Sequence, residues 1–187
     1  MPMNLIHRRV CNSAKWARAV EDMLLPWALD GVELGRDVLE IGPGYGATTR
    51  VLLPEARHLT LLEVDAASAA RLREEFAGRT EAVVHGDGTH MPFADGRFDS
   101  VVCFTMLHHV PTPAAQDRLF AEAHRVLRPG GVFAGCDALS SVRFRLIHIG
   151  DTCVPVPPAT LGERLRAAGF AKAEVTVGEG RVRFRAE

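Results

Sequence analysis

VLEIGPGYGATTR, residues 38–50, carries a short β-rich run into the start of a helix through three closely spaced glycines. Val38 to Ile41 reads as a strand, and Ala47 to about Leu53 as a helix stopped by Pro54. The glycines fit two registers. Gly42, Gly44 and Ala47 match G-x-G-x-x-[GA], the fingerprint of a dinucleotide-binding turn. Gly42, Gly44 and Gly46 match a G-x-G-x-G loop, which holds a different adenosine-containing cofactor. In both registers the missing Cβ atoms let the backbone turn sharply and approach a ligand. The loop would lie outside the carboxyl end of its strand, where open α/β sheets bind their ligands.

Strand-like and helix-like segments alternate on either side of this stretch, which predicts an α/β fold around a mostly parallel sheet. Residues 14–29 have helical spacing, with Trp16, Val20, Met23 and Leu24 on one side and Pro26 ending or kinking the helix. Strands are expected at Leu59–Glu63, Glu81–His85, Ser100–Thr105 and Val132–Cys136. Asp65 is placed to cap a helix over about 66–77, and Thr112 with Pro113 opens another running to about Leu127. Residues 138–158 read as irregular. Leu161–Ala168 reads as a helix closed by Gly169 and Phe170. The runs 173–177 and 181–185, joined by GEG, suit an antiparallel hairpin. In the last run Arg181, Arg183 and Arg185 share one face, and a solvated edge strand is the expectation.

The whole chain bounds the function. Its 187 residues suit one domain: a helical N-terminal cap over 1–34, a cofactor-binding core over 35–137, and an acceptor-side segment with the C-terminal hairpin over 138–187. Apolar residues make up 47% and charged residues 24%, enough for a packed core. With 22 basic and 23 acidic residues the net charge is −1, so no overall field favours nucleic acid. Cys11, Cys103, Cys136 and Cys153 form no C-x-x-C and have no histidine at zinc spacing. They read as free thiols in a cytoplasmic protein, and no metal is expected. No signal peptide and no apolar run of membrane-spanning length is visible. Nothing here opposes a homodimer.

The acidic residues separate the two registers of the loop. Glu63, 21 residues after Gly42, can accept from both hydroxyls of a ribose, which any adenosine cofactor offers. Glu40, at the end of the first strand, would face a pyrophosphate, where helix N–H groups rather than an anion are needed. S-adenosylmethionine instead brings an ammonium and a sulfonium, which favour a carboxylate nearby. A carboxylate that shapes the loop by accepting backbone N–H bonds is the alternative for Glu40. Asp87, after the third strand, can accept from an adenine amino group, with the backbone of Gly88 and Thr89 beside the ring.

The segments LEIGPGYG, LEVD, GDGTHMPF, FDSVVCFTMLHHV and RVLRPGGVF, in this order, resemble class I S-adenosylmethionine-dependent methyltransferases of the methyltransferase type 11 kind, over about residues 36–136. The resemblance implies a Rossmann-like sheet of seven strands, mostly parallel with an antiparallel last strand, and helices on both faces. It implies that Glu40, Gly42, Gly44 and Gly46 line the methionine side of the cofactor. Glu63 with Val64 would serve the ribose, and Asp87, Gly88 and Thr89 the adenine. Phe104 and Thr105 would face the cofactor at the end of strand four.

Methyl transfer is an in-line displacement, so holding donor and acceptor in line supplies much of the catalysis. A base is needed only where the acceptor loses a proton; His108 and His109 are the candidates. Local packing and hydrogen bonding would account for the pair equally well. Residues 104–107 carry no [DN]-P-P-[YFW], which turns the expectation away from DNA bases and glutamine. The expected acceptor is a small molecule, methylated at oxygen, carbon or nitrogen. Met3 to Arg9 with the helix at 14–29 would form a lid; Arg143, Arg145, His148 and Asp151 would line the acceptor pocket. Two rivals remain. One is a non-catalytic cofactor-binding protein. The other is a NAD-dependent oxidoreductase, which Glu40, Asp87 and the lack of a Tyr-x-x-x-Lys pair oppose.

Overall fold

The computed structural model describes residues 4–178 and 180–187, without the side chains of Leu5, Ile6 and Arg143. Seven strands form one sheet in the order β3-β2-β1-β4-β5-β7-β6. They are β1 (Asp37–Ile41), β2 (His58–Glu63), β3 (Ala82–His85), β4 (Phe98–Phe104), β5 (Leu127–Ala138), β6 (Ala173–Gly178) and β7 (Arg181–Ala186). The pairs β1–β2, β1–β4, β2–β3 and β4–β5 are parallel, and β7 runs antiparallel to both β5 and β6. This is the expected Rossmann-like sheet.

The alternation of side chains along the strands makes two apolar layers. Leu39, Ile41, Val101 and Cys103 face one layer with Leu119 and Phe120. Val38, Leu59, Leu61, Val102 and Phe104 face the other with Leu72 and Phe76. The helices α6 (Pro113–Val126) and α8 (Pro158–Ala167) cover the first layer. The helices α2 (Ala14–Ala19), α3 (Leu25–Ala28), α4 (Ala47–Leu52) and α5 (Ala66–Glu75) cover the second. The caps read from the sequence are present: Asp65 accepts from Ser68 N–H at 2.8 Å, and Thr112 from Ala115 N–H at 3.1 Å. All four cysteines are free. Among the described residues no helix is long and apolar enough to cross a membrane.

Several local expectations are corrected. The helix expected over 14–29 is broken by a π turn, Val20–Leu24, with Leu25 N–H bonded to the Val20 carbonyl. Pro26 has no N–H to continue the α ladder, and the wider turn rotates the apolar face. Leu25 is therefore buried, while Met23 is exposed. Two short helices add to the expected elements: α1 (Leu5–Cys11), capped by Asn4, and α7 (Val142–Ile147), capped by Ser141 within the segment expected to be irregular. Strand β5 begins at Leu127, five residues early; Leu127 pairs with Phe98 and Val132 with Ser100, so residues 128–131 bulge out of the ladder. Strand β7 is not the edge. It lies between β5 and β6, and two of its arginines, Arg183 and Arg185, bond carbonyls of the segment before β1. The guanidinium of Arg183 donates to the Trp27 carbonyl at 2.5 Å and that of Arg185 to the Gly31 carbonyl at 2.7 Å. Met3 and Glu179 lie outside the described residues.

Candidate functional site

A cavity of about 680 Å³ opens where β1, β2, β3 and β4 end. That is the size of a small-molecule site, roughly 300–1,000 Å³. Its floor is apolar, with Ile41, Leu62 and Leu119, and its rim carries the acids Glu63, Asp65 and Asp87.

The glycine loop is shaped from both ends. Gly42 N–H donates to the Leu62 carbonyl at 2.8 Å, which ties the loop to β2. Gly44 has φ +54°, and a Cβ built there would meet nothing within 4 Å, so its backbone stands open to a ligand. Gly46, with φ +73°, begins α4; a Cβ there would meet the Phe76 ring at 2.7 Å. Two arginines of the cavity lining latch the loop. Arg71 donates to the Gly44 carbonyl at 2.6 Å and stacks 4.6 Å above the Tyr45 ring, and Arg8 donates to the Tyr45 hydroxyl at 3.1 Å.

Gly42, Gly44, Glu63, Val64, Asp87, Gly88, Thr89, Phe104 and Thr105 all line the cavity. Glu63 is nearly buried. Its two oxygens accept from Gly44 N–H at 3.1 Å and Asp65 N–H at 3.0 Å, so it orders the loop as well as facing the cavity. Each carboxylate oxygen retains further acceptor capacity for a ribose hydroxyl. Asp87 accepts from Thr89 N–H at 2.8 Å through Oδ1, which sets the turn. Gly88 fits between Ile41 and Leu119, each 3.1 Å from where its Cβ would be. Thr105 has φ +51°, rare for a β-branched residue, and is pinned by its N–H bond to the Cys136 carbonyl at 2.8 Å.

Glu40 and Gly46 are not on the cavity lining. Glu40 shares a face of β1 with Val38 and points under the loop, 1% exposed. Its carboxylate accepts from the hydroxyls of Thr48 and Thr49, the latter at 2.6 Å. The loop-shaping role thus falls to hydroxyls, not to backbone N–H groups. Burial pushes the Glu40 carboxyl from 4.5 up to about 7, against the two threonine bonds. An unfolded chain releases this proton near pH 4.5, so between there and about 7 the native state holds the extra proton. Stability should therefore fall as pH rises through this window, by roughly 3 kcal/mol in all. Glu40→Gln should flatten that slope in urea unfolding curves; an unchanged slope would refute the assignment.

The histidine pair is divided. His109 lines the cavity, while His108 is buried behind it. His108 Nδ1 lies 2.6 Å from Asp137 Oδ1, and the backbone N–H groups of His108 and Ala138 donate to the same carboxylate at 2.9 and 2.7 Å. His109 Nδ1 donates to the Thr152 carbonyl at 3.1 Å. Burial, then the neighbouring histidines, lower the His109 pKa to about 3, so its imidazole is neutral at physiological pH. Arg145 and Asp151, expected at the acceptor pocket, are not on the lining. Arg145 is exposed on α7, and Asp151 holds α1 through Asn4 N–H at 2.6 Å and His7 Nδ1 at 2.9 Å. His148 is likewise off the lining, packed against His7 and His108. The Arg143 side chain lies outside the described residues.

The N-terminal segment does reach the cavity, through His7, Arg8, Cys11 and Trp16, and α6 adds Arg118. Helical spacing alone could not place these residues against a loop so distant in the chain. Burial, with the Asp151 charge, raises the Cys11 thiol to about 11, so it stays protonated. The donor set fits an adenosyl cofactor: an open glycine backbone, two carboxylates at separate strand ends and an apolar floor.

The family model described as a methyltransferase domain matches residues 39–135. The chain belongs to the class I S-adenosylmethionine-dependent methyltransferases. It is 34% identical over 152 residues to a Mycolicibacterium smegmatis protein named "Probable S-adenosylmethionine-dependent methyltransferase", covering 77% of this chain and 55% of that one. A malonyl-[acyl-carrier protein] O-methyltransferase of Geobacter sulfurreducens is 35% identical over 138 residues, covering 70% and 50%. The methyltransferase chain thus spans about half the length of these curated relatives. A crystal structure of a Pyrococcus horikoshii protein superposes with a TM-score of 0.76 at 17% identity, covering 95% of this chain and 93% of that one, which shows a shared fold.

Proposed function

We propose that this methyltransferase domain moves a methyl group from S-adenosylmethionine to a small-molecule acceptor, at oxygen, carbon or nitrogen, and releases S-adenosylhomocysteine. The observation that carries this reading is the convergence of Glu63, Asp87 and the open Gly44 backbone on one cavity at the ends of parallel strands. In this reading Glu63 holds the ribose hydroxyls, Asp87 the adenine amino group, and Ile41, Leu62 and Leu119 the flat face of the ring. The Gly42–Gly44 backbone receives the methionine end. Bound there, the cofactor supplies a methyl group on a sulfonium.

The protein's own task is then to align the acceptor and exclude water. Residues 1–34 serve as a cap over the site and 35–137 as the cofactor-binding core. In the third segment, 138–187, residues 142–151 brace that cap. His109, neutral and facing the cavity, forms part of the wall against which an acceptor is placed. Its lowered pKa makes it a poor proton carrier, so acceptors that need little base assistance are favoured. The balanced charge supports a small molecule over nucleic acid. The test is transfer of label from methyl-labelled S-adenosylmethionine to a panel of phenols, thiols, amines and carboxylates, with RNA and protein in parallel. Label in a small-molecule product is the expected result. Label confined to RNA or protein would overturn the acceptor class, and cofactor binding without any transfer would favour a non-catalytic binder.

A further inference from the structure

Four imidazoles meet at the wall of the cavity. They come from His7 on α1, from His108 and His109 in the 3-10 turn after β4, and from His148 at the end of α7. The ring centroids of His7 and His148 are 4.4 Å apart, those of His108 and His109 4.1 Å, and those of His109 and His148 5.4 Å. Nothing in the sequence spacing of positions 7, 109 and 148 signals this cluster.

Every Nδ1 in the cluster faces an oxygen. His7 Nδ1 is 2.9 Å from Asp151 and His108 Nδ1 is 2.6 Å from Asp137. His148 Nδ1 is 2.7 Å from the Phe144 carbonyl and His109 Nδ1 is 3.1 Å from the Thr152 carbonyl. A carbonyl can only accept, so Nδ1 carries the hydrogen and a neutral ring keeps its lone pair on Nε2. This is how metal-binding histidines are oriented, with one ring N–H held by a carboxylate or carbonyl and the other nitrogen left to the ion.

One ligand nitrogen from each of His7, His109 and His148 lies within 4.8 Å of the other two. His108 Nε2 is 3.1 Å from His148 Nε2. Two nitrogens on one tetrahedral zinc, each at 2.0–2.1 Å, are about 3.3 Å apart. At that separation the two nitrogens share either a proton, as an N–H···N hydrogen bond, or a metal ion. An all-imidazole set suits zinc, copper or nickel rather than magnesium or calcium.

We propose that His7, His109 and His148 form a binding site for a divalent transition metal ion of the zinc class, with His108 as the adjoining nitrogen. Because two of its ligands line the cavity, the ion ties α1 and α7 to the turn after β4 and fixes the cavity wall. The site does not depend on the identity of the methyl donor.

The test is calorimetric titration of chelator-stripped protein with zinc chloride, with cobalt(II) as a spectroscopic substitute. One ion per chain is expected, with intense visible bands from tetrahedral cobalt. His148→Ala and His7→Ala should each weaken zinc binding at least tenfold. His58→Ala, at the opposite end of β2, should leave it unchanged. Absence of binding, or full-strength binding in both histidine variants, would overturn the proposal. Should those variants fail to fold, the cobalt spectrum of the unaltered chain decides, and a weak octahedral spectrum would overturn it.

Discussion

Glu63→Ala is expected to weaken binding of S-adenosylhomocysteine by about 1.5–3 kcal/mol, the range for hydrogen bonds to a charged group. The carboxylate faces the cavity, yet its oxygens also hold the N–H groups of Gly44 and Asp65. The substitution therefore removes a ligand contact and loosens the glycine loop together. Titration with adenosine separates the two effects. A loss of equal size with adenosine assigns it to the ribose contact, whereas a loss seen only with S-adenosylhomocysteine assigns it to the loop. Unchanged affinity for both ligands in a folded variant would refute the role of Glu63.

Gly135→Ala should be the most destabilising small substitution in the sheet. Gly135 lies in β5 opposite Cys103 of β4, and a Cβ there would sit 2.1 Å from the Cys103 carbonyl oxygen and 3.0 Å from the Phe184 ring. Backbone cannot yield as a side chain can, so β4 and β5 must separate where Phe104 and Thr105 reach the cavity. A loss of about 3 kcal/mol or more is expected, at the upper end of overpacking effects. Gly162→Ala provides the contrast. Its Cβ would meet nothing closer than 3.6 Å inside α8, and a gain of about 0.5–1 kcal/mol is expected. Urea unfolding of both variants checks the pair. A Gly135→Ala midpoint equal to that of the unaltered chain would contradict the β4–β5 packing.

Much of this was legible in the sequence because the informative residues act locally. Val38–Ile41 and Ser100–Phe104 are β-rich runs, and Gly42 to Gly46 mark a turn that few other residues could make. Asp65 and Thr112 announce helix starts by capping chemistry. Glu40 was legible in part. Period-two alternation puts it on the Val38 face, and Thr48 and Thr49 stand within reach at the start of α4, so its burial under the loop could have been read from that pattern. The rest depends on packing between distant segments. The π turn before Pro26 shifts a helical face by one residue, which spacing alone cannot show. Whether β6 or β7 takes the edge depends on which of them pairs with β5, and alternation is similar in both. The histidine cluster joins an N-terminal helix, a turn after β4 and a six-residue helix too short for a periodic signal.

The most direct measurement is calorimetric titration of the unaltered methyltransferase with S-adenosylhomocysteine, with NAD as the parallel ligand. The cavity chemistry predicts saturable one-to-one binding of S-adenosylhomocysteine and none of NAD. Binding of NAD alone would contradict it, since the loop at Gly42–Gly46 would then hold a pyrophosphate.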